Sequence, residues 1–72
     1  MNVVWKSKLD GIYDVMVISE GDGYKGKLIL KKGDVELLNE DTSIAYAARF
    51  GPDIFDVNSW ENRCIDFIDN KV

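Results

Sequence analysis

The chain has 72 residues, of which 46% are hydrophobic and 31% are charged, and its formal net charge is −4. This composition is that of a folded globular domain and excludes a disordered chain, and the length predicts a single domain over residues 1–72. One cysteine and no histidine exclude an internal disulfide and disfavour a structural zinc site, so we expect a well-packed core or oligomerisation to stabilise the fold.

The charge is divided unevenly along the chain. Residues 1–32 hold six lysines and four acidic residues, whereas residues 33–72 hold nine acidic residues and three basic ones. We interpret this as charge that keeps the protein soluble, with the alternative that the acidic C-terminal half faces a basic partner. The sequence has no basic stripe interleaved with aromatic residues, so we do not expect a nucleic acid partner.

The sequence shows neither a membrane span nor an export signal. No apolar run approaches the ~20 residues of a membrane span, and residues 1–11 contain no apolar core of a signal peptide. A single free cysteine fits a reducing compartment. We therefore expect a cytoplasmic protein that has no membrane partner.

The first two predicted strands flank a hairpin turn. Residues 2–9 alternate and predict a half-buried strand, with Val3, Trp5, Ser7 and Leu9 on one face and Val4, Lys6 and Lys8 on the other. Asp10-Gly11 is a dipeptide typical of tight hairpin turns. Residues 12–19 then form the run of the chain with the highest β-propensity.

Both faces of this second predicted strand are apolar. One face holds Ile12, Met16 and Ile18, and the other holds Tyr13, Val15 and Val17. Such a strand is either covered on both sides or covered on one side and used for contact on the other. If a helix covers the Met16 side, the opposite face needs a second subunit as its cover, so we expect a homodimer.

Three further strands are predicted before the helix. Residues 24–32 bury one face and present a row of lysines on the other, namely Lys25, Lys27 and Lys31. Residues 35–40 form a shorter strand, and residues 39–43 form a polar loop. Residues 44–50 form the last strand, in which small alanines allow close packing.

The order of these elements predicts an α+β fold, an antiparallel β-meander of four to five strands with one C-terminal α-helix packed on one face. The sheet spans residues 1–50, a corner residues 51–56, and the helix residues 57–70. Proline 52 ends the last strand because proline cannot donate a hydrogen bond to a sheet.

Two residues are candidate N-caps near the start of the helix. Asp53 is suited to cap a short turn, and Asn58, followed by Glu61, loosely matches the capping-box pattern of the helix itself. A stripe of apolar residues at helical spacing is expected to pack on the sheet: Val57, Trp60, Cys64, Phe67 and Ile68.

No pattern in the sequence indicates catalysis. There is no catalytic motif, metal-ligand cluster or phosphate-binding loop, so we expect no enzyme activity, no cofactor and no bound metal. Asp66 and Asp69 fit a solvated helix face. Cys64 lies on the apolar stripe, where we expect a buried and inert thiol because no histidine is present to activate it.

Surface contact is therefore the expected mode of action. Trp5 on a terminal strand is a candidate anchor, the second strand supplies a contact patch, and charged residues flank the corner. The candidate interaction residues are Trp5, Tyr13, Val15, Val17, Arg49, Asp53 and Asp56.

The size, the acidity and the sheet-plus-helix plan resemble those of small accessory proteins of phages and mobile elements. That resemblance implies a non-enzymatic interaction protein that binds and modulates a host protein. The alternative hypothesis is a protein that binds or sequesters a small ligand of the nucleotide type at a subunit interface. The lysine row, with Trp5 and Tyr24, would line that site.

Overall fold

The computed structural model of the protein describes residues 2–20, 25–44, 50–51 and 53–70. These residues form the strands β1 (Asn2–Leu9), β2 (Tyr13–Ser19), β3 (Lys25–Lys32) and β4 (Val35–Ser43), followed by the C-terminal helix α1 (Ile54–Asp69). The strands form one antiparallel sheet in the order β1-β2-β3-β4. The predicted meander with a C-terminal helix is therefore confirmed.

The connection between β1 and β2 is the tight turn that the sequence predicts. Asp10 and Gly11 have positive φ angles of 53° and 71°, which glycine adopts freely and aspartate tolerates. The Ile12 N–H donates to the Leu9 carbonyl over 3.1 Å. Ile12, which was predicted to begin the second strand, instead belongs to the turn, and the ladder starts with Leu9 opposite Tyr13.

A bulge interrupts the predicted alternation of β1. The pairing runs from Val3 opposite Ile18 to Trp5 opposite Val17, so Val4 is an extra residue. Val4 and Trp5 therefore both pack against the core, while Val3 is exposed. A bulge in an edge strand also hinders pairing with another edge.

The polar loop predicted over residues 39–43 is wrong, because this segment completes β4. Its backbone pairs with β3 as far as Ser43 opposite Lys25. Its polar side chains have partners on both sides of the sheet: Asp41 pairs with Lys27, and Glu40 and Thr42 contact α1. Those partners come from distant parts of the chain, so the local polarity of the sequence does not reveal them.

Helix α1 begins at Ile54, three residues before the predicted start. Asp53 is its N-cap, and its Oδ1 atom accepts a hydrogen bond from the Asp56 N–H over 2.9 Å. The Asp53 N–H in turn donates to Asp56 Oδ2 over 3.4 Å, which completes a capping box. The box predicted at Asn58 is wrong, since Asn58 lies inside the helix.

Most of the predicted fifth strand, residues 44–50, lies outside the described residues. Residues 45–49, and with them Arg49, lie outside the described residues. Of the two described ends of that stretch, Ile44 follows β4 outside any strand and Phe50 has helical conformation.

Replacing Asp53 with alanine is expected to lower the free energy of unfolding by about 1 kcal/mol, because the Asp56 N–H at the helix start loses the carboxylate that accepts its hydrogen bond. Urea denaturation followed by circular dichroism measures this loss. Asn58→Ala is the matched control inside the helix, where alanine favours helix formation, and no loss is expected there. Equal losses for both variants would contradict the assignment of Asp53 as the cap.

Helix α1 covers the Val15 face of the sheet, not the Met16 face. Val15 and Val17 are fully buried in the core. The other members of the buried cluster are Leu28 and Leu30 from β3, Ile44, and Trp60 and Cys64 from α1. The contact patch proposed for Tyr13, Val15 and Val17 is therefore wrong, because the helix already covers that face.

Polar contacts with β4 fix the position of α1 on the sheet. The indole N–H of Trp60 donates to Thr42 Oγ1 over 3.2 Å. Arg63 binds both carboxylate oxygens of Glu40, with distances of 2.7 Å from Nε and 3.0 Å from Nη2. Such paired hydrogen bonds restrict the orientation of both side chains, so they set the helix register against the strand.

Candidate functional site

The predicted contact residues on the sheet belong to the core or its margin. Trp5 is half-buried, and its ring centroid lies 5.5 Å from that of Trp60, with the planes tilted by 36°. Tyr13 is half-buried against the core, and Lys32 Nζ lies 6.0 Å from its ring centroid. Because Val15 and Val17 are fully buried, these four residues do not form a free surface.

The predicted contact residues near the corner have structural partners where they are described. Asp53 and Asp56 hydrogen-bond to each other's backbone in the capping box. Negative charge at this end of a helix is also favoured by the helix dipole. The structure thus brings Asp53 and Asp56 together, and it assigns them to the helix start.

Three large apolar side chains within six consecutive residues at the helix start are exposed, which the sequence patterns did not predict. Phe50, Ile54 and Phe55 are 71%, 69% and 80% exposed, respectively. We name these three residues the helix-start patch. A helical projection that begins at the Asp53 cap places Phe55 opposite the Trp60 and Cys64 stripe and Ile54 at its margin, so a predicted helix start closer to the N-terminus would have revealed the exposure of Phe55.

The helix that carries two of the three patch residues is acidic. Residues 53–70 contain five acidic side chains and one basic side chain, Arg63, which is engaged by Glu40. Ile65 adds a further exposed apolar side chain later on the helix. The helix therefore presents apolar groups in a negative field, which complements an apolar site with a basic rim.

The side of the sheet opposite α1 is the outer sheet face. Its described side chains come from all four strands in register and are Val3, Lys6, Lys8, Asp14, Met16, Ile18, Lys25, Lys27, Ile29, Lys31, Glu36, Asn39, Asp41 and Ser43. Three apolar residues at its centre, Met16, Ile18 and Ile29, are half-buried. Charged side chains surround them, and long lysine stems cover apolar neighbours well.

The lysine row of β3 is largely balanced by carboxylates on neighbouring strands. Lys27 Nζ lies 2.5 Å from Asp41 Oδ1 and 3.9 Å from Glu20 Oε1. The hydrogen bond between Lys27 and Asp41 raises the pKa of Lys27 and lowers the pKa of Asp41. Lys31 stands between Asp14 and Glu36 in the sheet register.

This balance bears on the nucleotide-binding hypothesis. An open depression of about 340 Å³ lies at one end of the row, lined by Lys25, Asp41, Thr42 and Ser43. Asp41 is one of the lining residues, and its negative charge weakens the attraction for a phosphate group. Tyr24, which was expected to line the ligand site, lies outside the described residues. The hypothesis stays a prediction.

Cys64 occupies the environment expected of an inert thiol. It is fully buried between α1 and the sheet, and burial raises the pKa of its thiol from 9.0 to about 11. The thiolate is the reactive form, so this cysteine is a poor nucleophile at neutral pH. Among the described residues, no group of three or more His, Cys, Asp or Glu side chains is placed to hold a metal ion.

The raised pKa of Cys64 predicts a loss of stability in alkaline solution. Between pH 9 and 11 the unfolded chain releases the thiol proton that the native state keeps, so the free energy of unfolding falls as pH rises. The slope from this group is at most about 1.4 kcal/mol per pH unit. Denaturant titrations at several pH values measure it, and Cys64→Ala is the control that retains every other titrating group. Identical slopes in the two proteins would refute the assignment.

Comparisons add no relative to this picture. In the part of the chain that the structure describes, no helix has the length and apolar character needed to cross a membrane. The sequence matches no protein-family model, and comparison with curated proteins and with solved structures finds no match for it.

Proposed function

We propose that this chain is a small non-enzymatic interaction protein that binds a protein partner through the helix-start patch. The observation that carries the proposal is the exposure of Phe50, Ile54 and Phe55 within six consecutive residues. Exposed apolar side chains are common singly, but a cluster of large ones is typical of interaction sites. Aromatic residues also supply much of the binding free energy at protein interfaces.

The chemistry of the partner follows from the charge of the helix on which Ile54 and Phe55 lie. Five acidic residues and one arginine lie on residues 53–70, so the partner surface should combine an apolar pocket with a basic rim. We infer that Phe55 enters the pocket, since it is 80% exposed and lies in the first turn of α1. Opposite charges would accelerate association and make binding weaker at high salt.

Occupying a partner's surface is the mode of action that fits a small domain of this kind. We propose a regulatory role of the type served by accessory proteins of phages and mobile elements, which modulate a host protein. We also propose that the protein acts in the cytoplasm, because its single cysteine is a buried thiol that suits a reducing compartment.

Variants of the patch test this proposal. Immobilised wild-type protein, Phe55→Ser and Ile12→Ser are compared for the proteins that they retain from a cell lysate, and each retained protein is then titrated in purified form. Ile12 is the matched control because it is 52% exposed and lies in the β1–β2 turn. The expected result is a partner whose dissociation constant rises by at least ~10-fold with Phe55→Ser and is unchanged with Ile12→Ser.

Two outcomes would overturn the proposal. One is a partner that binds wild-type protein and Phe55→Ser equally well, which would place the binding surface elsewhere. The other is the absence of any protein that wild-type retains and a blank support does not. Circular dichroism of both variants verifies that the fold is intact, as expected for substitutions at exposed side chains.

A further inference from the structure

The outer sheet face carries a regular pattern of charge. In the sheet register, one row across the four strands is Lys8, Asp14, Lys31 and Glu36, which alternates in sign. The next row is Lys6, Met16, Ile29 and Asn39, and the row after it is Val3, Ile18, Lys27 and Asp41. Read from β1, the charges of the first row are positive, negative, positive and negative; read from β4, they are the reverse. Two copies of this row that face each other in opposite directions therefore pair unlike charges at every position.

We propose that the outer sheet face binds the same face of a second copy, about a two-fold axis that lies between β2 and β3 and runs parallel to the strands. This axis places β1 of one copy against β4 of the other, and β2 against β3. The inference concerns a different surface from the helix-start patch and does not depend on the proposed function.

The charge pattern selects this axis. With it, Lys8 faces Glu36 of the second copy, and Asp14 faces Lys31 of the second copy. No facing pair in the three rows then has like charges. A two-fold axis perpendicular to the strands would instead place β3 on β3 and bring Lys27 against Lys31 of the second copy. Unlike charges facing each other attract, and like charges disfavour the second arrangement.

The centre of the face supplies the apolar contact. Met16 faces Ile29 of the second copy twice, once on each side of the axis, and the two half-buried pairs would become covered. Ile18 faces Lys27 of the second copy, whose aliphatic stem can pack on it. Two sheets stacked this way would lie ~10 Å apart with their strands nearly aligned.

The area of the face sets the expected strength of the dimer. Four strands ~4.8 Å apart and about seven residues long give a face of roughly 450 Å² per copy. The pair would then bury roughly 900 Å², at the low end for specific interfaces, so we expect a dimer with a dissociation constant in the micromolar range or weaker.

A charge exchange between opposite edges of the sheet tests the proposal. Lys8→Glu and Glu36→Lys are prepared separately, and sedimentation equilibrium measures the dimerisation of each variant and of their equimolar mixture. In either variant alone, the two edge contacts of the dimer become repulsive, so we expect dimerisation weakened by ~10-fold or more. In the mixture, both edge contacts of the mixed dimer are attractive, and near wild-type affinity is expected.

The mixture separates this contact from effects within one molecule. Residues 8 and 36 lie on the two edge strands, ~14 Å apart across the sheet, so within one copy they hardly interact. Each substitution also disturbs a neighbour in its own copy, such as the Lys8–Asp14 pair, but mixing cannot repair that. Recovery in the mixture therefore requires that the two residues meet between copies.

Two further variants and the wild-type protein also test whether the dimer forms through the outer sheet face. Met16→Lys introduces charge at the centre and is expected to abolish the dimer, whereas Phe55→Ser on the helix-start patch should leave it unchanged. Wild-type protein that remains monomeric at ~1 mM would overturn the proposal, as would a dimer that Lys8→Glu does not weaken or a mixture without recovery. Loss of the dimer with Phe55→Ser would place the self-contact on the helix instead.

Discussion

Replacing Trp60 with alanine is expected to lower the free energy of unfolding by about 3–5 kcal/mol, which is the usual cost of removing a buried tryptophan. Trp60 is 3% exposed and joins α1 to the sheet in two ways. Its ring packs on Trp5, and its indole N–H donates to Thr42. A domain of 72 residues has a total stability of the order of 5 kcal/mol, so the variant should retain only about 0–2 kcal/mol, and up to about half of it should be unfolded at room temperature.

Circular dichroism during urea denaturation measures this loss without relying on tryptophan fluorescence. Trp60→Phe retains much of the apolar contact and removes the hydrogen bond, so we expect a smaller loss of about 1–2 kcal/mol. Phe55→Ala on the same helix is the matched control, because its exposed side chain should contribute within about 0.5 kcal/mol. If Trp60→Ala costs no more than Phe55→Ala, the helix is not docked on the sheet as described.

The strand order was predictable because it depends on local signals. Alternation identified β1 and β3, and the Asp10-Gly11 dipeptide identified the turn between β1 and β2. Short turns between consecutive antiparallel strands leave little choice of topology. The length of β4 was not predictable in this way, since Thr42 and Glu40 are positioned by residues of α1.

The face of the sheet that α1 covers depends on whether the turn between β1 and β2 contains two residues or three. A two-residue turn would pair Leu9 with Ile12 and put Met16 on the core face, whereas the observed pairing of Leu9 with Tyr13 puts Val15 there. A slip of one residue transfers every side chain of a strand to the other face. β2 is apolar on both faces, so its own pattern did not show which face packs on the core. Asp14, which the two-residue turn would have buried, was the signal that could have decided it.

The helix-start patch was not predicted because two residues competed for the N-cap position of the helix. Two residues, Asp53 and Asn58, were suitable N-caps, and only Asn58 had the usual glutamate three residues later. The actual capping box uses Asp56 in that position. A predicted helix start at residue 57 left Ile54 and Phe55 in an irregular corner, where their exposure could not be deduced from helical periodicity.

Gly26 lies where β3 packs tightly against β2 and against Ile44, the residue that follows β4. It is buried in β3, and a Cβ atom placed on it would overlap the backbone oxygen of Ile18. The same atom would lie 3.0 Å from Cγ2 and 3.2 Å from Cδ1 of Ile44, which is itself 1% exposed. A backbone oxygen in a central strand cannot rotate away, so an added methyl group must displace β2 relative to β3.

Gly26→Ala is therefore expected to lower the free energy of unfolding by about 2–3 kcal/mol, at the upper part of the range for overpacked sites. Gly33→Ala is the control: Gly33 has a φ of 62° and no atom within 4 Å of an added Cβ, so only backbone strain of about 1 kcal/mol is expected. Ile44→Val trims Cδ1, and measured against Ile44→Val alone Gly26→Ala should keep most of its cost, because the Ile18 oxygen remains in place. Loss of that cost in the Ile44→Val background would instead assign the conflict to the Ile44 side chain, and a neutral Gly26→Ala would mean that β2 and β3 are not paired in this register at Gly26.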